Sequence, residues 1–391
     1  MHVRPFDIRV PDSTLRDLRA RLDTARFPPD TANDWDAGTN PAYLRELVDY
    51  WRTQFDWRTR ETELLRSRHY TAAIDGTTVH FIHERGRGDS PLPIVLTHGY
   101  PDSFYRFHSL IPLLADPAAH GGDASDAFHV VVPSLPGFTY SMPSGHNEIF
   151  HVADRWHDLM TGLGYQRYGA HGGDWGSFVT EQLARSHSDA VVGIHLTDVP
   201  FWHALRKPRK RSEAEDKYLA AIEEFQMSEG AYAMIQGNRP QTLADGLNDS
   251  PTGLAAWMLQ FFERWSDCDG DLESSFSKDE LLTNIMLYWV TSTSGSSSAP
   301  YYEVLHAGAG RWMLEIAKQK AGHTRKIPAG FAMFPKDLSH PPREWAERFF
   351  CVERWTETPR GGHFAAMEEP EALADEIRAF FRPLRSVGRG K

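Results

Sequence analysis

The chain has 391 residues, 41% of them hydrophobic and 24% charged, which suffices for one large or two medium domains with a sizeable core and leaves no block biased enough to stay disordered. A formal net charge of -11 repels phosphate backbones, which argues against nucleic acid as a partner, and the one basic run, R-K-P-R-K-R at 206–211, reads as a solvated loop because no aromatics interleave with it. Two distant cysteines, Cys268 and Cys351, build no disulfide framework, no apolar run reaches the roughly 20 residues of a membrane span, and the opening M-H-V-R-P-F-D-I-R-V has no apolar signal core, so a reduced cytoplasmic setting without a membrane is expected.

Leu15, Leu18 and Leu22, then Leu44, Leu47, Val48 and Trp51, fall at helical spacing, so residues 1–85 read as an N-terminal helical extension. Its Trp35, Trp51 and Trp57 are expected to clasp a later part of the chain, and a homodimer stays open as the alternative use of that surface. From Tyr70 the pattern changes to short apolar runs bounded by turn residues: T-V-H-F-I-H at 78–83, I-V-L-T at 94–97, F-H-V-V-V-P at 128–133, R-Y-G-A-H at 167–171 and V-V-G-I-H-L at 191–196. Helical segments such as 152–163 separate them, the pattern of a mostly parallel sheet with helices on both faces. Over 198–323 strand signals give way to helical stretches at 214–225, 253–265 and 279–290, and A-G-F-A-M-F at 329–334 resumes the strands. The class is therefore α/β, with core halves at 86–197 and 324–391 and an inserted helical lid at 198–323.

The chemistry concentrates at G-G-D-W-G-S, 172–177, directly after a predicted strand. Small residues two before and two after a central residue permit the sharp strand-to-helix turn that exposes a nucleophile, here the carboxylate of Asp174. A carboxylate attacks an alkyl carbon and leaves an ester that water must cleave, which limits the substrate to electrophilic carbon such as an epoxide or an alkyl halide. His98-Gly99-Tyr100-Pro101 follows the strand at 94–97, where an α/β-hydrolase places a loop that supplies one oxyanion-hole amide; the Tyr100 and Trp175 backbone amides are the expected pair. Near the C-terminus R-G-G-H-F-A-A-M-E-E-P-E sets His363 in a glycine loop, and the order nucleophile, acid, histidine leaves Asp337 as the acid that holds its ring.

With these motifs in place, the chain resembles the microsomal-type epoxide hydrolases, in their soluble, anchor-less branch. The resemblance spans nearly the whole length: R-P-F-D-I-R-V-P and L-V-D-Y-W-R-T-Q-F-D-W-R in the N-terminal extension, D-A-F-H-V-V-V-P-S-L-P-G-F-T-Y-S in the core, S-P-T-G-L-A-A-W and L-L-T-N-I-M-L-Y-W in the lid, and G-F-A-M-F-P-K-D-L beyond it. It implies a small-molecule epoxide and water as reactants, no cofactor, and two lid tyrosines that protonate the leaving alkoxide. Tyr232 and Tyr302 are the expected pair, with Tyr301 competing for the second place. Trp175, Phe201, Trp202 and Trp289 are candidates for the substrate pocket. Two departures stand out: Tyr100 where that family usually has tryptophan, and Asp102 where it has a small residue, close enough to the nucleophile to alter local pKa values.

Among rival readings, a haloalkane dehalogenase shares the aspartate, histidine and acid, and Trp175 suits its halide site. Tyr100 in place of a halide-binding asparagine argues against it, as do the tyrosines, because a halide leaves without a proton. A non-catalytic hydrolase fold used for binding would lack one of the three reactive residues, and none is missing. Nineteen histidines invite a metal, but His80 and His83 lie three apart in a predicted strand and so face opposite ways, and no H-E-x-x-H or Cys/His cluster occurs; no metal site is expected.

Overall fold

The computed structural model describes residues 1–30, 33–142, 149–206, 208–306 and 326–386. Lys207 of the basic run and residues 307–323 of the expected lid lie outside the described residues. Nine strands form one sheet: β1 (Val3–Pro5), β2 (His69–Ile74), β3 (Thr77–Glu84), β4 (Leu92–Thr97), β5 (Phe128–Pro133), β6 (Tyr168–Gly172), β7 (Val191–Leu196), β8 (Pro328–Met333) and β9 (Cys351–Glu357). Their spatial order is β1-β2-β3-β5-β4-β6-β7-β8-β9. The first three pairings are antiparallel and the five from β5 to β9 parallel. This is the α/β-hydrolase arrangement, and its central parallel strands are buried on both faces, which explains why β4, β5 and β7 read in the sequence as continuous apolar runs and not as alternation.

The sheet reaches further back than the expected boundary at residue 85. β2 and β3 join it edge to edge, and β1, three residues at the very start of the chain, extends it through the register Val3↔Ala72. His80 and His83 do face opposite ways on β3. His80 meets His69 at 2.9 Å and Ser134 at 2.8 Å, while His83 meets the Tyr165 hydroxyl at 2.9 Å, so both are committed to packing contacts.

Helices over Asp12–Asp23 and Pro41–Thr53 bury Leu18, Leu22, Leu44, Leu47, Val48 and Trp51, the residues that their spacing singled out. Asn40 caps the second by accepting from the Ala42 and Tyr43 amides, with Pro41 at its first position. The extension clasps the inserted helices: the Thr39 hydroxyl donates to the Ala256 carbonyl, Tyr50 Oη donates to Asp279 at 2.9 Å, and Arg21 reaches Asp249 at 2.7 Å. These contacts hold the helices Pro251–Trp265 and Lys278–Thr291 over the C-terminal ends of the parallel strands, where an α/β sheet places its ligands. No described helix is long and apolar enough to cross a membrane.

Candidate active site

β6 ends at Gly172 and the helix Trp175–Ser186 starts three residues on, so the chain must reverse within Gly173 and Asp174. Asp174 adopts φ 57 and ψ -129, a left-handed conformation that costs a non-glycine residue on the order of 1–3 kcal/mol. The small neighbours are required sterically: a Cβ on Gly176 would collide with the Thr97 carbonyl oxygen, and one on Gly99 with the Asp174 carboxylate itself. The turn thus presents the Asp174 side chain to a cavity above the sheet.

Two amides address that carboxylate. Tyr100 N–H donates to Oδ1 at 2.9 Å, and the Trp175 amide also bonds it. Burial raises the Asp174 pKa, while His363 and these two amides favour the ionised form and limit the rise. Asp102 finds its explanation in the same loop. It is fully buried, accepts the Gly99 amide at 3.0 Å and pairs with Arg106, whose other terminal nitrogen donates to the His363 carbonyl. Burial opposes the Asp102 charge, but Arg106 and His98 outweigh it and leave its pKa lowered. The departure from a small residue therefore supplies an ion pair that fastens the Tyr100 loop to the histidine loop, at the cost of one more negative charge near Asp174.

His363 is nearly fully buried. Its Nδ1 lies 2.7 Å from Asp337 Oδ1 and its Nε2 3.7 Å from Asp174 Oδ2. With Nδ1–H donated to Asp337, Nε2 is left as the lone-pair nitrogen, aimed at Asp174 and without a hydrogen-bond partner among the described residues. Burial lowers the His363 pKa, Asp337 and Asp174 raise it, and the net shift is upward. Glu368, which the sequence did not mark, braces this loop by accepting the Phe364 amide at 2.9 Å and the Asp267 amide at 2.8 Å; burial pushes it up to about 7.

A cavity of about 510 Å³ opens over Asp174, Asp337 and His363, walled mainly by Trp175, Phe178, Phe201, Trp202, Tyr232 and Tyr301. Tyr232 is hydrogen-bonded to Tyr301, their ring centroids 5.7 Å apart, and Tyr301 packs edge-on against Trp175 at 5.1 Å. Burial, then the Asp174 charge for Tyr232 and the Tyr232 and Asp174 charges for Tyr301, hold both phenols well above their usual range, so both keep their protons as donors. Tyr302 does not belong to this pair. It is 40% exposed and stacks on His306 at 3.9 Å, because adjacent residues of the helix Ala299–His306 point about 100° apart and only Tyr301 takes the cavity side. Trp289 is also misplaced by the sequence reading. It lies under the Arg21 guanidinium at 5.7 Å, facing the N-terminal extension, and is not part of the cavity wall. The Tyr100 hydroxyl accepts from Trp257 Nε1 at 2.6 Å, so this side chain is tied to the inserted helix Pro251–Trp265 while its amide bonds the Asp174 carboxylate.

Residues 3–107 match the family model described as epoxide hydrolase N terminus, and residues 93–229 match the alpha/beta hydrolase fold. A Stigmatella aurantiaca protein, named provisionally as an epoxide hydrolase, is 43% identical over 98% of this chain and 86% of its own length. Epoxide hydrolase 1 of Sus scrofa is 36% identical over 97% of this chain and 88% of its own. The chain belongs to the epoxide hydrolase family. Among solved structures, Aspergillus niger epoxide hydrolase superposes with a TM-score of 0.84 at 29% identity, covering 98% of this chain and 97% of that one. The juvenile hormone epoxide hydrolase of the silkworm Bombyx mori superposes with a TM-score of 0.85 at 25% identity, covering 99% and 95%. Membership of the epoxide hydrolase family thus includes the N-terminal extension and the lid as well as the common hydrolase core.

Proposed function

We propose that this chain hydrolyses an epoxide to a vicinal diol through a covalent ester on Asp174. One Asp174 oxygen attacks a ring carbon and the C–O bond breaks, while Tyr232 and Tyr301 hydrogen-bond the epoxide oxygen and protonate the alkoxide as it leaves. Without such donors an alkoxide is too basic to depart readily. His363 Nε2 then takes a proton from water, the hydroxide adds to the ester carbonyl, and the oxyanion rests on the Tyr100 and Trp175 amides, a contribution of about 3–4 kcal/mol per donor in comparable sites. Asp337 stabilises the imidazolium until that proton returns. Collapse of the tetrahedral adduct expels the second diol oxygen, which takes the proton from the imidazolium, and the proton of the adduct's hydroxyl passes through solvent to the tyrosinate left by ring opening, so carboxylate and phenol are both restored.

The observation that carries this reading is the convergence, in one largely apolar cavity, of a carboxylate on a strained turn, a basic imidazole nitrogen 3.7 Å from it and two hydrogen-bonded tyrosines. The tyrosines decide between leaving groups, since a halide needs no proton. In this reading residues 198–323 act as the lid over core halves 86–197 and 324–391, with 1–85 as the clasp. A reducing cytoplasmic setting also belongs to the proposal and is supported by the two free cysteines.

The purified protein is to be offered styrene oxide and, separately, a primary bromoalkane. Phenylethanediol formation that is lost in Asp174→Ala is expected. Bromide release without turnover of any epoxide would instead assign the chain to dehalogenation.

A further inference from the structure

A third carboxyl group faces the cavity beside Asp174 and Asp337, and the mechanism above leaves it unused. Asp198 follows β7 and touches the nucleophile from behind. Its Oδ1 accepts the Asp174 amide at 3.3 Å. Its Oδ2 lies 2.9 Å from Ser177 Oγ, and that same Oγ lies 2.7 Å from the Asp174 carbonyl oxygen.

A serine hydroxyl has one hydrogen to give. The Asp174 carbonyl can only accept, and an oxygen–oxygen contact of 2.7 Å with no hydrogen between the atoms is repulsive, so the serine hydrogen goes there. The 2.9 Å contact is then a hydrogen bond only if the hydrogen comes from Asp198. We infer that Asp198 is a positioning residue that works as the neutral acid, donating to Ser177 so that Ser177 holds the Asp174 carbonyl, while its other oxygen holds the Asp174 amide.

The surroundings agree. Asp174 from the turn, Asp337 from the loop after β8, His363 from the last loop and Tyr218 from the helix Glu213–Ser228 are the titratable groups that bear on it, of which His363 alone can be cationic, and the permanently charged Arg106 beside Gly173 is paired with Asp102. Burial, then the Asp337 and Asp174 charges, push the Asp198 carboxyl up to about 8. Ionisation would do two things. It would turn the Ser177 hydroxyl toward Asp198, freeing the backbone of a residue held at φ 57, and it would add a third negative charge where ester hydrolysis develops an oxyanion. The acid form is populated below about pH 8, so turnover should fall as pH rises through that value. Tyr232 and Tyr301, held well above the usual phenol range, do not titrate there.

The inference rests on Asp174 being the nucleophile, and the test keeps the two apart. Asp198→Ala removes both contacts and should lower kcat about 10- to 100-fold with KM changed little. Asp198→Asn keeps an acceptor for the Asp174 amide and an N–H donor for Ser177 but cannot ionise. It should recover kcat to within about threefold of wild type at pH 7 and move the alkaline limb up by about one pH unit or more. A difference infrared spectrum of wild type against Asp198→Asn should show a carboxylic-acid C=O band at pH 6.5 that titrates away near pH 8; this readout needs no turnover. An Asn variant as impaired as Ala, an unmoved alkaline limb, or carboxylate bands alone at pH 6.5 would overturn the Asp198 role while leaving Asp174 intact. Absence of any alkylated Asp174 in the His363→Gln protein would instead remove the nucleophile reading, and the Asp198 proposal with it.

Discussion

His363→Gln protein mixed with an epoxide gains the mass of one substrate molecule on the peptide that carries Asp174 and then stalls, with steady-state turnover down about 10⁴-fold or more. The two half-reactions place different demands on the site. Ring opening needs Asp174 ionised and the tyrosines protonated, and neither depends on the imidazole as a base. Ester hydrolysis needs His363 Nε2 unprotonated, because water is a poor nucleophile toward the ester carbon until its proton is removed. Glutamine keeps part of the ring's volume and cannot take that proton. The same logic fixes the acid limb in the wild type: Asp337 and Asp174 raise the His363 pKa against the opposing effect of burial, so as pH falls the base is protonated first and the ester accumulates. Rapid quench with intact-protein mass spectrometry at pH 7 and pH 5.5 measures both effects. Full turnover in His363→Gln would refute the assignment.

Tyr301→Phe and Tyr232→Phe each slow ring opening about 10²-fold, and the double variant about 10³- to 10⁴-fold, whereas Tyr302→Phe stays near the wild-type rate. Burial and neighbouring charge keep the first two phenols protonated and aimed into the cavity; Tyr302 stands on the outer side of the same helix against His306. The loss should appear in the rate of ester formation in single-turnover experiments and leave ester hydrolysis almost untouched, because the hydroxyls serve the leaving alkoxide and not the attacking water. A large loss in Tyr302→Phe with none in Tyr301→Phe would reverse the assignment. So would equal losses on an activated epoxide that needs no protonation.

Much of the candidate site is legible in the sequence because its constraints are local. The turn at 172–177 needs small residues around Asp174 for steric reasons, and those are visible as letters. β5 and β7 coincide with their apolar runs because a doubly covered strand has no polar face to blur its ends. What failed depended on a neighbour far along the chain. Tyr301 and Tyr302 are equivalent by composition, and only the docking of their helix on the Tyr232 side picks one. Trp289 looks like a pocket aromatic until Arg21, more than 260 positions earlier, is seen over its ring. β1 is too short for any alternation to register, and its pairing with β2 crosses the whole helical extension. Asp198 lies outside any motif and Glu368 is one of three glutamates at the end of the motif around His363; nothing in sequence spacing tells that one lies behind Asp174 and the other under the histidine loop. Asp102 stands out in the sequence as a departure, but nothing there marks Arg106 as its partner, so its role as a loop fastener is visible only in the geometry.

The central claim, that Asp174 becomes covalently attached, is tested most directly by a single turnover of excess enzyme with styrene oxide in oxygen-18 water. The oxygen that attacks carbon comes from the Asp174 carboxylate, so the first diol should carry oxygen-16 at the opened carbon, with the oxygen-18 retained in the Asp174 peptide. Oxygen-18 in the diol on the first turnover, with unlabelled Asp174, would mean that water attacks the ring directly and would contradict the account.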